Sequence, residues 1–164
     1  MRRPPIIAPL WAALLLSACV TTTTKEDCAR PEDPNRQIGG CTLAIQSGEY
    51  SGAALALIYV GRGLAYEKIG DLPRAVEDYD LAIANDPAFG PAFMHRAAAR
   101  CRLNRPEGSV EDQMEAMRLG AVQADELQQE MARAGYYKGR IDGVFGPGSR
   151  KALARWTEAG CPSK

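Results

Sequence analysis

Histidine is almost missing from this chain: His95 is the single one among 164 residues. No serine or cysteine nucleophile motif stands in its place, and no Gly-rich loop follows a strand pattern. The sequence therefore offers no constellation for covalent, acid–base or phosphate chemistry. Glu49, Glu67, Glu77 and Asp78 fall on helical patterns, whose surfaces carry such residues routinely. The expectation is a non-enzyme with no cofactor. A basic excess is lacking too. Lys+Arg and Asp+Glu stand at 20 each, so nothing is left over to hold a phosphate backbone, and nucleic acid is not an expected partner. Aromatics are only 7% of the chain while alanine is abundant. A core poor in rings and rich in alanine suits closely packed helices rather than a sheet sandwich. None of the five cysteines has the close C-x₂₋₄-C spacing of a structural zinc site, so disulfides are the expected use and no metal is expected.

The longest apolar run at the start, Ile6 to Leu16, is broken by Pro9 and falls short of the roughly 20 residues a permanent membrane helix needs. With Arg2 and Arg3 before it, the run has the shape of a signal peptide. It ends in Leu16-Ser17-Ala18-Cys19, which resembles the lipobox of bacterial lipoproteins. That resemblance implies cleavage after residue 18, lipidation of Cys19 and a membrane partner held through acyl chains. Loss of Arg2 and Arg3 would leave a slightly acidic body with no attraction to anionic lipid, so the chains must anchor it, at about 0.8 kcal/mol per buried CH₂. Val20, rather than aspartate, follows the cysteine, and the expected address is the periplasmic face of the outer membrane of a Gram-negative bacterium. Residues 19–37, with four threonines, charges, Pro31 and Pro34, read as lipidated cysteine and flexible tether.

Setting Cys19 aside leaves Cys28, Cys41, Cys101 and Cys161, an even number in an oxidising compartment. Three pairings are possible. Cys28 and Cys41 flank the join of tether and first helix. Cys101 falls near the end of one helix and Cys161 after the last. The expected bridges are therefore Cys28–Cys41 and Cys101–Cys161.

Residues 38–120 repeat. Sliding the chain by 34 places Tyr59 on Phe93, Arg62 on Arg96, Ala65 on Ala99, and Val76-Glu77-Asp78 on the identical Val110-Glu111-Asp112. The period and the copy at 56–89, with Gly63, Tyr66, Gly70-Asp71, Ala75, Tyr79, Ala82 and Pro87, resemble the tetratricopeptide repeat, a helix–turn–helix unit. The copy at 90–120 is degenerate: Arg100 and Gln113 replace the two tyrosines, and Asn104-Arg105 replaces Gly-Asp. Leu43-Ala44-Ile45 echoes Leu81-Ala82-Ile83 at a shift of 38, which implies a lone second helix near Ile38 to Gln46. Locally, Gly70 suits a left-handed helix end and Asp71 suits the next cap. The resemblance implies a groove for a protein partner, an unknown envelope protein, formed by Tyr59, Arg62, Tyr66, His95 and Arg96.

So short an array needs a cap, and residues 121–164 are placed to supply one. Leu127-Gln128 and Met131 lie on a helix expected to end near Gly135. Then follow Gly135-Tyr136-Tyr137, Gly139, Ile141-Asp142-Gly143, Phe145-Gly146 and a last helix with Ala152-Leu153 and Trp156. This order resembles the small helical peptidoglycan-binding domain of cell-wall hydrolases. Ile141, Phe145, Leu153 and Trp156 would plug the space between its helices. Gly143 and Gly146 would take backbone angles closed to other residues. The resemblance implies peptidoglycan as a partner. Tyr136, Tyr137 and Trp156 would meet sugar faces where exposed, and Lys138, Arg140 and Arg150 would meet peptide carboxylates. Thr157 stands where that family usually has glutamine. The expected fold is all-α: a short tetratricopeptide array capped by a peptidoglycan-binding-like helical hairpin. The expected function is a non-catalytic, membrane-anchored scaffold of the cell envelope. The alternative is a pure interaction adaptor whose C-terminal segment is only a cap.

Overall fold

The computed structural model describes residues 23–162, and among them the chain is all-helical. Cys19, the signal segment and the lipobox lie outside the described residues. A short 3₁₀ turn, Lys25–Ala29, precedes seven helices: α1 (Pro34–Gln46), α2 (Gly52–Lys68), α3 (Leu72–Asn85), α4 (Gly90–Arg102), α5 (Ser109–Arg118), α6 (Ala124–Arg133) and α7 (Pro147–Glu158). No helix among the described residues is long and apolar enough to cross a membrane.

Folding begins earlier than the composition suggests. Residues 25–37, expected as tether, carry the 3₁₀ turn and the first turn of α1. The prolines do not forbid this. Pro34 takes the first helical position, where no amide hydrogen is missed, and the Asp33 carboxylate caps the helix by accepting from the amides of Asn35 and Arg36. The turn then sits on α1 at Gly40, where a Cβ would come within 2.5 Å of the Cys28 amide nitrogen. The buried carboxylate of Asp27 accepts from Thr24 N and from Arg36, and Cys28 is bonded to Cys41 with Cα atoms 4.5 Å apart.

Helices α2 and α3 form the first full hairpin. Gly70 turns the chain at φ +80°, and the Asp71 carboxylate accepts from the Arg74 amide to start α3. Gly63 is needed because the Tyr79 ring lies where its Cβ would be, 2.6 Å away. Ala75, Tyr79 and Ala82 are fully buried at this contact and Tyr66 nearly so. The second hairpin, α4 and α5, turns without glycine at the same place. Asn104 takes the left-handed conformation instead, at φ +54°, which asparagine tolerates better than most residues.

The sequence period reappears as a repeated ion pair. Arg62 on α2 forks onto Asp78 of α3, with Nε and Nη2 2.9 and 2.7 Å from the two carboxylate oxygens. Thirty-four positions on, Arg96 of α4 makes the same fork with Asp112 of α5, at 2.9 and 2.5 Å. Each arginine also reaches back with Nη1 to the preceding second helix: Arg62 to the Thr42 hydroxyl of α1 at 3.1 Å, Arg96 to Asp80 of α3 at 2.6 Å. Thr42 and Asp80 are separated by 38 positions, the shift that aligns the half copy with the full one. One residue type at one register position thus ties every first helix to its own hairpin and to the one before it.

Beyond α5 the stack is closed by α6 and α7. Leu127, Met131, Ala152, Leu153 and Trp156 form a second core, and Val110, Met114 and Met117 of α5 pack onto it. The disulfide Cys101–Cys161, with Cα atoms 5.4 Å apart, ties the end of α4 to the end of α7. Both expected bridges are present.

Candidate functional site

The C-terminal unit is built around one side chain. Gln128 on α6 is completely buried. Its carbonyl oxygen accepts from the amides of Asp142 and Gly143, both at 3.1 Å. Its amide nitrogen lies 3.1 Å from the Val144 carbonyl and 3.1 Å from the Ser149 hydroxyl at the start of α7. A primary amide suits this post because it donates and accepts at once, and here both ends face backbone that would otherwise be unpaired inside the fold. Gln128 therefore fixes the path of the loop that joins α6 to α7. The sequence pattern placed it on the helix but gave no sign of this role, since a glutamine next to a core leucine reads equally well as a surface residue.

The rest of the loop follows. Asp142 accepts from Val144 N at 3.0 Å, the bond to a backbone amide two residues on that its position in the turn suggests. That bond, with the Gln128 amide, holds its carboxyl below the usual carboxylate range. Gly143 takes φ +72°. Gly146 does not need its freedom: at φ −81° it is ordinary extended backbone just before α7. Tyr137 lies across Gly139, where a Cβ would meet its ring at 2.5 Å, and its hydroxyl donates to the Arg140 carbonyl at 2.8 Å.

The aromatic candidates are not a sugar platform. Trp156 is 7% exposed, with its indole N–H donating to the Pro162 carbonyl. Tyr136 and Tyr137 are half-buried and pack on the second core. Their rings fill the space between α6 and α7 together with Phe145 and Leu153. Ile141, expected beside them, instead faces outward at 45% exposure, as does Val144 at 67%. Thr157 is buried, its hydroxyl donating to Ala154 O within its own helix, so it presents nothing to a ligand. The cationic candidates are the ones left free. Lys138, Arg140 and Arg150 are all exposed and enter no ion pair among the described residues.

The repeat candidates fare differently. Arg62 and Arg96, expected to line a partner groove, are consumed by the internal forks onto Asp78 and Asp112. Their guanidinium groups lie over Tyr59 and Phe93, 5.7 and 5.5 Å from the ring centres. Tyr66 is buried. His95 stacks on Tyr79 at 5.7 Å between ring centres, and burial pushes its pKa below the ordinary 6.5. These side chains hold helices together rather than stand ready for an acidic partner.

No group of three or more His, Cys, Asp or Glu among the described residues is placed to hold a metal. Neither a curated protein nor a solved structure matches the chain. Residues 122–158, which span α6, the Gln128-centred loop and α7, match the family described as a putative peptidoglycan binding domain.

Proposed function

We propose that the protein is a non-catalytic lipoprotein of the bacterial envelope that binds peptidoglycan through residues 122–158. The observation that carries this reading is the family match over a segment whose loop is rigidly seated while its cations stay unpaired. Lys138 and Arg140 on the loop and Arg150 on α7 offer charge-assisted donors to carboxylates of the wall polymer. Lipid on Cys19, on the periplasmic side of the outer membrane, would tether one end while the wall holds the other. The repeat region, tetratricopeptide-like in period and in the residues of its first hairpin, serves as a stiff spacer between the two. Co-sedimentation of the full chain with purified sacculi tests the wall reading: recovery in the pellet, lost at high salt, is expected, and a protein that stays wholly in the supernatant refutes it.

A second reading keeps the C-terminal unit as a cap alone. It draws on the packing of Val110, Met114 and Met117 against the second core, which closes the repeat stack whatever else the unit does. The same sedimentation separates the two.

A further inference from the structure

Between the repeats and the C-terminal unit runs a cleft of about 620 Å³. One wall is α4, with Met94, Ala98 and Arg102; the other is α6, with Leu127, Glu130 and Arg133. Cys161 and Trp156 also line it, so the Cys101–Cys161 bridge holds the α4 wall to the C-terminal unit. Gln113 of α5 also lines it. That residue is only 6% exposed, and its side-chain oxygen has no hydrogen-bond partner among the described residues. A buried acceptor without a donor costs about 1–3 kcal/mol, and a ligand bringing an N–H would recover much of that. The family match assigns the hairpin itself; the cleft exists only because the hairpin is packed on α5 and bridged to α4 by Cys101–Cys161.

We infer that this cleft binds the peptide part of peptidoglycan, the amino-acid stem, and not its sugars. The inference rests on the wall reading above. The chemistry of the lining favours peptide. Carboxylate and guanidinium line the cleft together: among the described residues Glu130 enters no ion pair, and Arg133 has only a long contact of 3.5 Å to Gln129. Groups of both signs match a stem that carries carboxylates and free amines, whereas the sugar backbone offers hydroxyls and acetamides. Amide N–H groups of the stem supply the donor that Gln113 Oε1 lacks. Met94, Ala98 and Leu127 provide an apolar floor for small side chains such as alanine. A sugar site wants an open aromatic face, and Trp156 presents almost none.

The test uses the full chain and two products of one digest: the stem peptides that an amidase cuts from sacculi, and the glycan strands left behind. Calorimetric titration should show binding of the peptides and none of the bare strands. Glu130→Lys, at an exposed position, and Met94→Trp, which fills the cleft, should each weaken peptide binding about tenfold or more, a loss of ~1.4 kcal/mol. Should Met94→Trp fail to fold, Glu130→Lys decides. Peptide binding unchanged in Glu130→Lys, or equal binding of the bare strands, overturns the cleft assignment while leaving the wall reading intact. No sedimentation of the wild-type chain with whole sacculi removes both.

Discussion

The repeats and the C-terminal unit solve the same problem, holding short helices together, with opposite chemistry. In the repeats an arginine–aspartate fork recurs at each hairpin, buried and charged, with Asp78 and Asp112 only 2% and 4% exposed. In the C-terminal unit a neutral amide, Gln128, binds backbone on both sides. The first device spends the cations of the repeats on their own fold. The second leaves the cations of the loop and of α7 for something else. This is why the region that looks like an interaction module has its arginines occupied, and the region that looks like a cap has them free.

The largest expected effect breaks the link between the two regions. Replacing Cys101 and Cys161 by serine opens a loop of 60 residues, worth about 4 kcal/mol in the chain-entropy model. A denaturant titration should show that loss, and hydrogen exchange should show it first in α6 and α7. Equal loosening of α2 and α3 would mean that the regions are not separate in the way described. Next comes the charged device. Arg96→Met leaves buried Asp112 with Arg100 alone, 3.0 Å away, and should cost about 2 kcal/mol, with part of the loss recovered when Asp112→Leu is added. A double change no better than the single one would show that Arg96 acts through packing on Phe93 rather than through charge.

The neutral device should cost less and act locally. Gln128→Leu leaves the amides of Asp142 and Gly143 without partners, a loss of about 2 kcal/mol. Amide exchange at those two residues should accelerate while the repeats keep their protection. The smallest effect is in pH. His95 has its folded pKa below the unfolded 6.5, so the unfolded chain binds more protons in the window between the two values. Stability is then complete above pH 6.5 and falls as the pH drops through 6.5 toward the folded value. Thermal melts from pH 7.5 to 5 should show this slope, and His95→Gln should flatten it. A slope of opposite sign would mean that the nearby Glu67 carboxylate outweighs the burial of the ring.

The helices were legible because their signals are local: Gly70-Asp71 marks a turn by backbone freedom and capping, and the 34-residue self-match marks a repeated contact. The fork was half legible. The alignment paired Arg62 with Arg96 and Asp78 with Asp112, yet separation along the chain does not say that these arginines meet these aspartates rather than a partner. Tether and folded body were misjudged at residues 25–37 because prolines read as breaks, while Pro34 at a helix start breaks nothing. At the C-terminal unit the exposed cations were legible, and so was Trp156 as a plug between the helices, but its second reading as a sugar contact fails and the tyrosines were not recognisable as core. An aromatic at helical spacing shows which face it is on and not what covers that face. Gln128 was out of reach, since the backbone groups it bonds lie 14 and more positions away.

The most direct measurement compares the cations of the two regions in one assay. Sedimentation with sacculi is carried out for the wild-type chain, for Lys138→Ala with Arg140→Ala and Arg150→Ala, and for Arg62→Met. The triple variant changes exposed residues and should melt within about 0.5 kcal/mol of wild type. It should nonetheless lose most of its recovery in the pellet. Arg62→Met should melt earlier yet sediment as well as wild type at temperatures where it stays folded. Full sedimentation of the triple variant, with loss in Arg62→Met, would contradict the account and place wall binding in the repeats.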